Sequence, residues 1–95
     1  MILRRDKYTC QVAARYGKRI PANTVHHVFP REVFPEYEWE SWNLLSVSET
    51  THNELHDRNT GGLTRRGIEL LERIGRANNI DIEKALRRLR PPGDE

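Results

Sequence analysis

All four histidines of this chain lie within 31 residues, as the adjacent pair His26 and His27 and the spaced pair His52 and His56. That grouping constrains the fold, because the two pairs sit on segments of different periodicity. Residues 24–29 (TVHHVF) are short, β-branched and aromatic-containing, and Pro30 stops them, so they read as a strand. Ser48 is a good N-cap for a helix over about residues 49–58, and Gly61-Gly62 close that segment. On such a helix His52 and His56 are four apart and leave one face about one turn apart. One ion can accept a nitrogen from each, and the strand can bring a third imidazole. A lone pair at this spacing equally suits a solvated helix face. Both pairs in one short chain favour a functional cluster.

The remaining segments frame those two. Residues 4–12 read as a turn or a short extended piece, and Gly17 breaks it. Residues 31–42 read as a loop with a helical turn after Pro35, and residues 43–47 (NLLSV) as a second strand. Thr64 caps a helix over residues 65–77, where Ile68, Leu71 and Ile74 recur at amphipathic spacing, and Asn78-Asn79 end it. Asp81 caps a last helix to Leu89, with Ile82, Leu86 and Leu89 on one side. Pro91-Pro92 stop that helix, ahead of three frayed residues. The expected class is α+β, in the order strand, long inter-strand loop, strand, helix, then two C-terminal helices. The length suits a single domain over 1–95, with a core at 4–60 and helices within 64–90.

Composition narrows the function classes. No apolar run approaches the ~20 residues needed to cross a bilayer, so no membrane partner is expected. One cysteine cannot form an internal disulfide, and a reducing cytoplasm is the expected compartment. The net charge is only +2, but it is unevenly spread. Residues 1–20 hold six basic side chains against one acid, residues 31–57 one against seven, and residues 58–95 nine against six. Two basic arms around an acidic middle suit a polyanion such as DNA, although solvated helix faces have the same composition.

The histidines suit phosphodiester hydrolysis. That reaction needs an activated water, a sink for transition-state charge and a stabilised leaving oxygen. A metal on three protein ligands supplies the last two. A free histidine with a pKa near ~6.5 supplies the base. Four histidines are enough for three ligands and one base.

The runs Val25-His26-His27-Val28-Phe29-Pro30, Trp42-Asn43-Leu44-Leu45 and Thr51-His52-Asn53 with His56 resemble the HNH endonucleases of the His-Me finger group. The opening Arg5-Asp6-Lys7-Tyr8-Thr9-Cys10-Gln11 is similar to the lead-in of many phage and bacterial members. The resemblance covers about residues 4–60 and implies a ββα-metal finger. It implies that His26, His52 and His56 are metal ligands, as in the nuclease-colicin branch, and that His27 is the general base. Asn43 takes the position that braces the inter-strand loop through backbone hydrogen bonds. One divalent ion (Zn, Ni, Mn or Mg) is implied as cofactor, DNA as substrate, and 3′-hydroxyl and 5′-phosphate ends as products. A phage or mobile-element accessory role fits this family.

Two departures stand out. Many relatives hold a structural zinc on two Cys-x-x-Cys pairs, whereas here those positions read Cys10, Ala13, Ser48 and Thr51. Cys10 is then expected to be a small buried apolar residue, with the C-terminal helices supplying the lost stability. Adjacent strand residues also point to opposite faces, so His26 and His27 cannot both aim at one ion from an ideal strand.

Phosphate contacts are expected from Arg4 or Arg5, Lys18 or Arg19, and Arg58. Trp39 and Trp42 read as core, and Glu36, Glu38 and Glu40 as solvent-facing. The C-terminal helices can pack on the finger, form a homodimer interface or lie along DNA. The alternatives to a nuclease are a non-catalytic, metal-stabilised DNA-binding module and an interaction domain without nucleic acid.

Overall fold

Three helix starts are set locally, each by a side chain that accepts from its own backbone. In the computed structural model, which describes residues 1–90, Ser48 Oγ accepts from the Thr51 N–H, Thr64 Oγ1 from Gly67, and Asp81 Oδ1 from Lys84. Each satisfies an N–H that the first helical turn leaves without a partner. The elements are α1 (Ile2–Arg5), α2 (Gln11–Ala14), β1 (Thr24–His27), β2 (Leu44–Val47), α3 (Glu49–Leu55), α4 (Arg65–Ala77) and α5 (Ile82–Leu89). The fold is a small α+β arrangement around a two-stranded antiparallel sheet. Helices α4 and α5 run as the sequence suggests; the proline stop expected after α5 lies outside the described residues.

In the sheet, β1 and β2 pair Thr24 with Val47, Val25 with Ser46, His26 with Leu45 and His27 with Leu44. Both strands are shorter than their sequence pattern. Ladder pairing stops at His27, beyond which the Val28 N–H bonds the Asn43 carbonyl and the Phe29 N–H bonds the Asn43 side chain. Asn43 itself closes a 3-10 turn (Ser41–Asn43) and does not open β2. A further 3-10 turn, Pro35–Tyr37, follows the loop proline.

The expected end of α3 near residue 58 is corrected to Leu55. His56 is extended, at φ −120° and ψ 139°, and bridges to Leu63. The reason lies in the turn that follows. Asp57 accepts the Asn59 and Thr60 N–H groups, Gly61 takes φ +76°, and the chain reverses. Thr64 then donates its hydroxyl to the Glu54 carbonyl and its N–H to the Leu55 carbonyl. Those are acceptors that another helical turn would have used. Gly67 lets α4 lie this close, since a Cβ there would stand 2.4 Å from the Leu55 carbonyl oxygen.

Residues 4–12 are also corrected, from a turn or extended piece to two short helices joined by a turn. Arg5 makes the join. Its guanidinium grips Asp6 (2.8 and 2.9 Å) and donates to the Ser41 and Leu44 carbonyls, while Asp6 accepts the Ser46 N–H. This docks α1 on β2 from about 40 residues away in sequence.

The core unites Val28, Phe29 and Phe34 with Leu55, Leu70, Leu71, Ile82 and Ala85, so both C-terminal helices pack on the loop and on α3. Phe29 sits edge-on to Phe34, Tyr37 and Trp42, and Gly75 admits it beside Ile82. Trp42 is half-buried on this core, whereas Trp39 is 80% exposed, against the expectation that it is core. Glu36 does not simply face solvent: it pairs with Arg88, which also covers the Phe34 ring. A second cluster joins Cys10, Ala13, Ala22 and Val47. There Cys10 Sγ lies 3.5 Å from Thr51 Oγ1, which is 3.0 Å from Ser48 Oγ. The four positions 10, 13, 48 and 51 therefore meet, packed with small side chains.

Candidate metal centre

Burying an imidazole with nothing to bond is costly, on the order of 1–3 kcal/mol for each orphaned group. His26 is fully buried, and neither Nδ1 nor Nε2 has a partner. Its neighbours are two more imidazoles: His52 from within α3 and His56 from the residue that ends it. Ring centroids lie 5.6 Å apart for His26–His52, 5.1 Å for His26–His56 and 4.8 Å for His52–His56. One ring nitrogen from each falls within 4.8 Å of the others, close enough together to hold a metal ion. Two nitrogens on one zinc at ~2.0–2.1 Å stand roughly 3.3 Å apart. The donor set fits a borderline transition metal, and an ion would supply the missing partner for His26.

Burial favours the neutral form of His26 and, less strongly, of His56. Burial, and then the neighbouring His56, His52 and His27, push the His26 pKa down to about 3. Burial and His52 lower that of His56, with Glu32 opposing. A neutral imidazole keeps its lone pair for metal. In the metal-free chain the same shift predicts acid sensitivity. Below pH ~6.5 the unfolded chain takes a proton that folded His26 refuses, so stability falls by up to about 1.4 kcal/mol per pH unit toward pH 3. Above pH ~6.5 both states are neutral and the slope from this residue vanishes. Urea midpoints in EDTA at pH 7.5 and 5 should show the loss, and His26→Leu should flatten it. A wild-type midpoint that does not move would remove the effect.

His27 is placed differently from His26. With His52 and His56 it lines an open cleft of about 480 Å³, together with Val25, Pro30, Arg31, Glu32 and Gly61. Its Nε2 is buried and unpartnered. The neighbours of one strand thus reach one region by different routes, His26 from inside the fold and His27 from the cleft. Asn43, wholly buried, accepts the Phe29 N–H (2.7 Å) and donates to the Phe29 and Tyr37 carbonyls. It ties the segment after His27 to the long loop.

The cationic candidates divide. Arg5 is engaged by Asp6, Ser41 and Leu44, which leaves Arg4 the freer of that pair of phosphate candidates. Arg4 and Arg58 are exposed, and among the described residues neither pairs with a carboxylate within 4.0 Å. Arg31 and Glu32 were not singled out as site residues by sequence, which holds no signal for them beyond following Pro30. The whole is a small α+β chain with a three-histidine cluster able to hold a metal. No family model, no curated protein and no solved structure matches it. Among the described residues, no helix is long and apolar enough to cross a membrane.

Proposed function

We propose that this chain is a metal-dependent DNA endonuclease of the HNH kind, with a ββα-metal finger formed by β1, the long loop, β2 and α3. One observation carries the reading: three imidazoles converge on one point, and the fourth opens on the cleft beside two of them. His26, His52 and His56 hold one divalent ion, Zn, Ni, Mn or Mg, with imidazole favouring the first two. When bound, the ion would offer positive charge to the oxygens of the pentacovalent transition state and to the leaving oxygen. His27 accepts the proton of the attacking water at Nε2, which has no other partner to compete for it. Asn43 holds the backbone that follows His27, and so the direction of that imidazole. Arg4, Lys18, Arg19 and Arg58 are the remaining candidates for phosphate contact.

Supercoiled plasmid, incubated with the EDTA-treated chain and Mn²⁺, Mg²⁺, Ni²⁺ or Zn²⁺ in turn, tests this directly. Relaxed circles are expected with at least one ion, and His52→Ala should lose both that activity and most of its affinity for the ion. Tight ion binding with no relaxation under any of the four would overturn the nuclease reading in favour of a metal-stabilised binding module.

A further inference from the structure

Away from the histidines, α2 and the turn after it face α4 across a cleft lined by Arg15, Tyr16, Arg66 and Arg73, with Leu55 and Leu70 among its apolar residues. A second cleft shares Val12, Tyr16 and Arg66 with it and adds Lys18. The two adjoin along these shared residues and are read together as one groove, with room of about 250 and 430 Å³. Its charge is not balanced. Of its two acids, Glu54 is taken by Arg66 at 2.6 Å and Glu69 lies 3.6 Å from Arg65. Arg15, Lys18 and Arg73 have no carboxylate within 4.0 Å among the described residues. Arg73 is half-buried beside Arg15, and burial followed by that neighbour weakens its hold on the proton. Two guanidinium groups that line one cleft, neither within 4.0 Å of a described carboxylate, are an arrangement that a bound anion stabilises. Tyr16, which lines both clefts, leaves 70% of its surface to solvent. Cations flanking an exposed aromatic ring are what a nucleic-acid strand requires, phosphates on the cations and a base against the ring.

We propose that this groove is a second nucleic-acid site, separate from the histidine cleft, in which Arg15, Lys18 and Arg73 take backbone phosphates and Tyr16 offers a stacking face. The choice of DNA as the strand rests on the nuclease reading. The site's existence does not, because binding is read without metal or cleavage. Leu55 ties the two regions together, lining the groove one residue before His56.

The test is anisotropy of a fluorescein-labelled duplex, and of a labelled single strand, with the metal-free full chain across a series of salt concentrations. For Arg15→Gln/Arg73→Gln, the slope of log K against log salt should shrink by about one to two, near 0.9 for each phosphate that is no longer neutralised. Tyr16→Ala should weaken single-strand binding by about 5- to 100-fold. If Arg73→Gln unfolds the chain, Arg15→Gln/Lys18→Gln, both at exposed positions, reads the same slope. An unchanged slope in a folded variant overturns the site. Inorganic phosphate alone is the second arm. If it shifts the Arg15 and Arg73 side-chain resonances while the variants leave DNA binding intact, the groove is a free-anion site and the nucleic-acid assignment falls. Because binding is read without metal or cleavage, failure of this site leaves the nuclease reading standing, and the reverse holds too.

Discussion

Plasmid nicking by His27→Ala is expected to fall by about 10²- to 10⁴-fold, the usual contribution of a positioned general base, while affinity for the metal stays within a few-fold of wild type. The two readouts separate because His27 stands outside the group of His26, His52 and His56 whose nitrogens converge. Its side chain lines the cleft that His52 and His56 also line, and its buried Nε2 has no hydrogen-bond partner. On the proposed reading, removing it deletes a proton acceptor without deleting a ligand. Single-turnover nicking alongside a metal isotherm on the same preparation makes the comparison. Equal nicking by the variant would end the base assignment, and a parallel collapse of metal affinity would make His27 a ligand instead.

Asn43→Ala is expected to cost about 3–5 kcal/mol of stability, because it leaves three backbone groups unsatisfied at roughly 1–3 kcal/mol for each that stays buried. They are the Phe29 N–H, the Phe29 carbonyl and the Tyr37 carbonyl. At ~4–8 °C per kcal/mol for a domain of this size, the Tm should drop by well over 10 °C. Asn43→Asp keeps an acceptor for Phe29 but loses both donated bonds, so an intermediate loss is expected. Denaturant unfolding of the three chains measures the series. A loss below about 1 kcal/mol for the alanine variant would mean that water reaches the vacated groups. The variant should also lose nicking under conditions where it is still folded, since Asn43 braces the chain two residues beyond His27.

Much of the frame was legible because its causes are local. Ser48, Thr64 and Asp81 each cap the helix that follows within three residues, so α4 and α5 could be bounded by inspection. The two strands were recognised from their β-branched and apolar content, though not where pairing ends. Four-residue helices such as α1 and α2 are too short to show a period, and α1 is docked by Arg5, Asp6 and Ser46 across a gap that no local pattern spans. Trp39 and Trp42 carry the same side chain three residues apart, yet only Trp42 finds Phe29 and Tyr37 to pack against.

For the candidate site the division is similar. By itself the sequence determined which side chains were available: four imidazoles in two pairs, an asparagine ahead of the second strand, and a serine-capped helix to present His52. Spacing and capping act over a few residues, so these could be read directly. Tertiary structure alone decided their roles in space. It ended α3 at Leu55, because Thr64 takes the carbonyls of Glu54 and Leu55, and so moved His56 off the helix and onto an extended turn. It buried His26 with the two later histidines and left His27 to the cleft, because pairing with β2 stops at His27 and Asn43 redirects the chain beyond it. Those choices depend on bonds between groups 9 to 23 residues apart, and only the folded chain brings such groups together.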